Sequence, residues 1–542
     1  MKKLVFGSLL LTLFTLYTWS NFDVLEFVVL ASVLLFIPLL FHMLDKIRRD
    51  GVIQTLALQI SYGYPFAALC AVLAFVMESA PFAAVWFVFT LYVSLYAISR
   101  ILERGIQPLP ELAIDVGWLY LGLGGFWFFA SVAQISMMGF SNQIILLTAV
   151  HFHYSAFIIP IFIGFLGRLS LKRRPLYNLV AIIIMLSPIT VAVGITFSRT
   201  VEFVSVLIYL LALYLYGYFV WTAPFKKKLA KLLVSLSSII LLVTILFSLI
   251  YAYGRVRGMI TISIDQMIWV HGVANVVGVI TPAIIGWFIE KPVPILNAYG
   301  KVMSNITGVR MIGSDFLKRN HLTSEDRYNG LVDRMELFNG PNFNSNKLSK
   351  GIADFYERTI DYEMKAKITW SGWFRPFAHI YAIISRRTQQ INLGTNQHWQ
   401  KMEGEIVAVQ SEKDRRDHVR AWIRKNECNQ TIFVALYSQH KFENEWYMNI
   451  CLPLPFSNMT GILKPINEGN NLILTSERRK YGDGDEGIYL YTKWFTMRLP
   501  LKETFYVRGT EEGRLYAEHE MWIFGLKFLH IEYDIKKGAI KA

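Results

Sequence analysis

Three histidines stand where water should be scarce. His151 and His153, in the run His151-Phe152-His153-Tyr154-Ser155, lie inside some two dozen mostly apolar residues, and His271 lies inside another such stretch. A charged side chain at the centre of a membrane helix costs roughly 2.5 kcal/mol or more, so ionisable groups there usually face a protein interior and mark a site. Neutral imidazole can hold zinc, copper or haem iron, and near neutral pH it can pass protons. A metal or haem centre and a proton or substrate relay are therefore the two chemistries to weigh. The third reading is cross-helix hydrogen bonding, worth about 0.6 kcal/mol per contact.

Spacing decides which groups can converge. Residues four apart share a helix face, whereas residues two apart point about 200° apart. His271, Asn275, Gly278 and Pro282 form one stripe, and His151 shares its stripe with Thr148 and Ser155. His153 points toward the side of Phe157 and Pro160, so on a regular helix the two histidines of the run cannot grip one ion. Either one of them faces the His271 stripe, or the helix is distorted above Pro160. No span holds a His-x-x-x-His pair and only three cysteines occur, so His151, His153 and His271 as metal ligands are the minor alternative.

The elements that must position these groups are membrane helices. The 542 residues are 54% hydrophobic and only 17% charged, against about a quarter in soluble proteins. Charges are scarce before Glu290 and dense after it. Crossing a core about 30 Å thick takes about 20 apolar residues, and ten windows qualify in residues 1–290. They lie near 4–19, 24–41, 57–77, 82–98, 116–133, 143–167, 176–197, 201–222, 232–253 and 264–289.

Alternate loops carry Lys46, Arg48 and Arg49; Arg100 and Arg104; Arg168, Lys172, Arg173 and Arg174; and Lys226, Lys227, Lys228 and Lys231, all on the side of Lys2 and Lys3. The positive-inside rule makes that side, and both termini, cytoplasmic. The net charge of +14 then fits anionic inner-leaflet lipid and calls for no nucleic acid. With 1.5 Å of rise per residue, His151 sits roughly 12 Å and His271 about 10 Å from the outer ends of their spans. Glu78, Arg199, Glu202 and Asp265 cluster near the same ends, which suggests an outward-facing polar pocket.

Residues 291–403 read as a mixed helical and irregular connection, with helix-like spacing in Ser324 to Met335 and Gly351 to Met364. From 404 to 542 strand-like segments alternate with turn formers, giving a mainly antiparallel β domain that curls over a ligand or a helix. The segments are Glu405–Val409, Thr431–Tyr437, Trp446–Cys451, Asn471–Thr475, Ile488–Leu499, Phe505–Arg508 and Trp522–Ile535. Glu412 to Arg420 reads as a solvated charged stretch, and Tyr481 to Gly487 as an acidic hairpin turn without the spacing of a calcium loop.

The runs His151-Phe152-His153-Tyr154 and His271-Gly272-Val273-Ala274-Asn275-Val276-Val277-Gly278 together resemble the signature of the YndJ-like family of bacterial multi-span membrane proteins. His151, His153, Tyr154, His271, Gly272 and Asn275 match that pattern by position. The resemblance covers about the first 290 residues and implies a cell-membrane location and packed helices; it supplies no substrate.

The sequence thus leads to a polytopic α-helical bundle with a C-terminal cytoplasmic α+β domain in the cell (inner) membrane. The expected activity is transport or handling of a small molecule by His151, His153, Tyr154, Ser155, His271 and Asn275, with Glu78, Arg199, Glu202 and Asp265 at the rim. The alternatives are a metal- or haem-binding enzyme, and a membrane-anchored sensor or scaffold with a ligand-binding β domain.

Overall fold

A computed structural model describes residues 2–43, 52–106, 108–169, 174–294, 302–478, 484–510 and 514–538. Lys46, Arg48, Arg49, Lys172, Arg173 and Tyr481 to Asp483 lie outside the described residues. The chain forms two compact units, one ending at Asn297 and the other running from Ala298 with the short segment Leu102–Gly105.

The first unit is helical: α1 Lys2–Tyr17, α2 Val24–Met43, α3 Val52–Val76, α4 Ala80–Arg104, α5 Leu109–Val132, α6 Asn142–His153, α7 Ile158–Arg168, α8 Arg174–Phe197, α9 Arg199–Thr222, α10 Lys228–Arg257 and α11 Ile264–Glu290. Helices α6 and α7 together make one span. Among the described residues nine helices are long and apolar enough to cross a membrane, against the ten windows expected. The difference is α1, whose 16 residues reach only about 24 Å. It packs tightly all the same: a Cβ on Gly7 would stand 2.0 Å from the Leu34 carbonyl oxygen.

Helix α5 begins seven residues before the expected window, because Glu111 and Asp115 lie inside the protein and cost the helix little. Arg100 donates from Nε to Asp115 Oδ1 at 2.6 Å, and Arg168 holds both Glu111 oxygens at 2.8 Å. Arg100 also stands 3.7 Å from Glu111. All four side chains are buried, so Arg100 and Arg168 are not the lipid-facing cations that loop counting suggested.

The second unit is a β-barrel. Its strands are β1 Tyr362–Trp370, β2 Gln400–Ala408, β3 Arg420–Asn426, β4 Thr431–Phe442, β5 Glu445–Leu454, β6 Ser457–Glu468, β7 Asn471–Thr475, β8 Gly487–Tyr491, β9 Thr496–Arg498, β10 Leu501–Gly509, β11 Leu515–Ile523 and β12 Leu526–Lys537. The order β5-β4-β3-β2-β1-β12-β11-β10-β7-β6 closes through β5–β6 pairing, and β8 and β9 extend the sheet from β6. Every strand pairing is antiparallel. Closure removes the free edges that make open sheets sticky. The interior is filled by alternate strand residues such as Ile368, Leu463, Leu474 and Ile531, and by Ile352 and Phe355 of α12 Lys350–Glu357.

Four expectations are corrected here. Residues 291–403 are no mere connection, since they hold all of β1 and the start of β2, and Gly351 to Met364 divides into α12 and the start of β1. Ser324 to Met335 is irregular until its last residue; its Asp333 instead accepts from Arg420 at 2.8 Å. Glu412 to Arg420 is solvated only in part: Glu412, Lys413, Arg415, Asp417 and His418 are exposed, but Asp414 and Arg416 are buried as a pair at 2.5 Å, and Ser304 donates to Asp414 at 2.6 Å. A last element, α13 Arg375–Thr388, lies between β1 and β2.

Candidate functional site

The His-Phe-His-Tyr run ends α6. Tyr154 leaves helical geometry at φ −122°, ψ −76°, and the chain re-enters a helix at Ile158. Pro160 then falls in the first turn of α7, where its missing N–H is tolerated. The break lets successive side chains serve different helices.

His153 is a structural link. Its Nδ1 donates to the Ala149 carbonyl at 2.8 Å and its Nε2 accepts from the Trp86 indole at 3.2 Å, which fixes one neutral tautomer. Gly124 of α5 makes room for the ring, since a Cβ there would come 2.9 Å from Nδ1. The His153 carbonyl accepts from Ser32 at 3.0 Å, and Tyr154 donates its hydroxyl to the Val28 carbonyl at 2.7 Å. Together these bonds clamp α2, α4 and α6. With both ring nitrogens engaged, His153 is not part of a shared histidine centre.

His271 sits in a different cluster. Helix α11 widens to π geometry over Ile268–Val273 and Val276–Ile280, a feature frequent at functional sites. His271 Nδ1 donates to the Thr244 carbonyl at 3.0 Å, leaving Nε2 to accept from Ser248 at 3.3 Å or from Asn275 Nδ2 at 3.5 Å. Thr244 in turn donates to Asn275 Oδ1 at 2.5 Å. His151 lies within electrostatic reach of His271, and Gln143 donates to Asp265 at 3.5 Å where the same two helices begin. The His151 ring is exposed on the unit's surface; its Nδ1 donates to Leu147 at 2.8 Å.

The remaining sequence candidates disperse. Ser155 meets Tyr209 at 3.2 Å. Glu202 is buried and pairs with Arg255 at 2.9 Å, while Arg199 donates to the Arg255 carbonyl, so these three tie α9 to α10. Glu78 is exposed at the turn after α3, with φ 47°. Of the expected site, the pair His271–Asn275 with His151 nearby is what the fold brings together. Among the described residues no group of three His, Cys, Asp or Glu is arranged to hold a metal ion.

A second site, missed by sequence reading, lies inside the barrel. A cavity of about 50 Å³, room for roughly three or four waters by the usual measure, is lined by apolar groups and by Arg424, Tyr437, Tyr533 and Tyr356. Arg424 is buried with its guanidinium 4.4 Å from the Trp422 ring and 4.2 Å from that of Phe433. Its Nε has no hydrogen-bond partner, although the guanidinium donates a hydrogen bond to the Tyr533 phenol. Burial pushes the Tyr437 phenol up to about 12 and raises that of Tyr533, against the opposing pull of Arg424, so both stay protonated. The nearby carboxylate, Glu503, is engaged by His519 at 3.1 Å, whose ring stacks on Phe505. The available signal was the alternation of Arg420, Trp422 and Arg424 with Ala421 and Ile423.

Among the described residues of the acidic turn, Asp485 accepts from His440 at 3.0 Å and Glu486 is buried.

A helical bundle with nine apolar spans among the described residues, joined to an antiparallel barrel, defines a polytopic membrane protein. The sequence profile described as "YndJ-like protein" matches residues 27–279. Over 515 residues the chain is 48% identical to the "Uncharacterized membrane protein YndJ" of Bacillus subtilis (strain 168), covering 95% of this chain and 94% of that one. The chain belongs to the YndJ-like family. No solved structure matches it.

Proposed function

We propose that this protein is a membrane-held binding protein whose barrel takes a small carboxylate-bearing molecule with an apolar body. The observation that carries the reading is the orphan Nε of buried Arg424 beside a cavity. A buried charge without an anion costs several kcal/mol, and each of the two aromatic faces offsets about 2 kcal/mol of it. A carboxylate would satisfy the guanidinium, the two phenols would donate to it, and the apolar lining would accept its body. The basic residues Lys2, Lys3, Lys226, Lys227, Lys228 and Lys231 support a cytoplasmic location for both termini and the barrel, in the cell membrane.

Thermal shifts of the purified full chain test this. Short aliphatic carboxylates should raise the midpoint where matching alcohols do not, and Arg424→Met should abolish the difference. Equal shifts from acids and alcohols, or an unchanged response in the variant, would overturn the reading.

A second reading, transport or handling of a small molecule in the helical unit, is favoured by the π segments around His271 and Asn275. There His271 would exchange protons through Nε2 toward His151. Proton flux into dye-loaded proteoliposomes that disappears in His271→Gln would support it; flux equal to that of empty vesicles would remove it.

A further inference from the structure

Helix α13 is built inside out. Its small residues Ala378, Ala382 and Ser385 are buried, while Phe377, Ile380, Ile383 and Ile384 are between 52% and 61% exposed. At 3.6 residues per turn the four large groups fall within an arc of roughly 120°, opposite the small stripe. A soluble barrel gains nothing by turning its isoleucines to water.

The patch continues beyond the helix. Just before it, Trp373, itself 46% exposed, donates its indole to the Lys527 carbonyl at 3.0 Å, which ties the helix start to the β11–β12 hairpin. Phe374 packs on Phe528 at 4.8 Å and on Phe377 at 5.6 Å. At the tip of that hairpin Phe524 is 79% and Leu526 60% exposed. Two separate elements thus present one apolar surface.

Charge selects the occupant. Helix α13 has no acidic residue, and Arg375, Arg386 and Arg387 are exposed at its two ends, with His379 between them. An apolar stripe with arginines and a tryptophan at its margin matches a helix lying in the plane of a bilayer, its apolar side about 5–10 Å into the headgroup and acyl boundary. The chain is a membrane protein, so such a surface is always within reach. We infer that α13 and the Phe524–Leu526 hairpin tip dock the barrel unit onto a bilayer surface bearing anionic lipid.

The test uses the full chain in nanodiscs, with exposed Cys428 replaced by Ser and Ile383→Cys carrying a nitroxide. Collision rates with oxygen and with a water-soluble nickel chelate are then compared. Lipid docking predicts high oxygen and low nickel access, with the contrast growing several-fold when phosphatidylglycerol is added to phosphatidylcholine and shrinking in Arg386→Ala/Arg387→Ala. Low access to both reagents would mean that protein covers the face, and high nickel access that water does; either result overturns the inference. Phe524→Cys, at a turn tip outside the helix, gives an independent reading should the label disturb α13.

Discussion

Removing Arg168 should unseat the helical unit. Its guanidinium holds both oxygens of Glu111 at 2.8 Å with neither side chain exposed, so Arg168→Met leaves a buried carboxylate short of a cation. Losing one partner of a buried pair costs about 3–5 kcal/mol, and the lower end applies because Arg100 stays 3.7 Å from Glu111. At about 2–4 °C per kcal/mol, the midpoint should fall by roughly 6–12 °C. The assay is thermal unfolding of the full chain in nanodiscs, with Arg358→Ala as a surface control: that arginine is 59% exposed, and its ion pairs are worth less than about 1 kcal/mol. Adding Glu111→Gln to Arg168→Met removes the stranded charge and should restore more than half of the loss, since Arg100 keeps Asp115. The reasoning fails if Arg168→Met shifts the midpoint no more than the control, or if the double variant is worse than the single one.

Three further outcomes follow from packing and titration. Gly124→Ala should cost about 1–3 kcal/mol in the same assay by pushing the His153 ring off its partners, whereas Gly63→Ala, with its nearest neighbour at 4.0 Å, should be silent. In maleimide labelling Cys428 should react readily and Cys451 should not: burial raises the Cys451 thiol to about 11, leaving about one thiolate in a thousand at pH 8. Glu532 is held below its usual range by the Tyr516 hydroxyl and then by Lys367, so its stabilisation is present above the unfolded carboxyl pKa and lost as pH falls through the folded one. Tyr516→Phe should therefore flatten the acid limb of barrel stability, measured as unfolding midpoint against pH.

The membrane spans were legible because bilayer thickness demands about 20 apolar residues whatever the packing. The barrel was half legible. β7 is found with its exact ends, but β1 and β3 hide behind alternating charges: Glu363, Lys365 and Lys367 point outward while Ala366 and Ile368 fill the interior. Trp522–Ile535 reads as one strand and is two, because the turn at Phe524 and Gly525 rests on positive φ values of 51° and 82° that hydrophobic spacing does not reveal. Among the site residues, periodicity separated His151 from His153 and grouped His271 with Asn275. It could not show that Trp86, 67 residues away, takes the second nitrogen of His153. Helix α13 escaped because its large apolar residues face outward, the reverse of the usual core-facing pattern.

The first strand of the ring is held by the last: β1 pairs residue for residue with β12, from Tyr362 opposite Lys537 to Trp370 opposite Leu529. During synthesis β1 emerges more than 150 residues before its neighbour. Until Leu526–Lys537 leaves the ribosome the cylinder is a bent sheet with two bare edges and an open lumen. A nonsense codon between β1 and that segment would therefore leave the β unit unsealed and ready to aggregate, however much of its sequence had already been made.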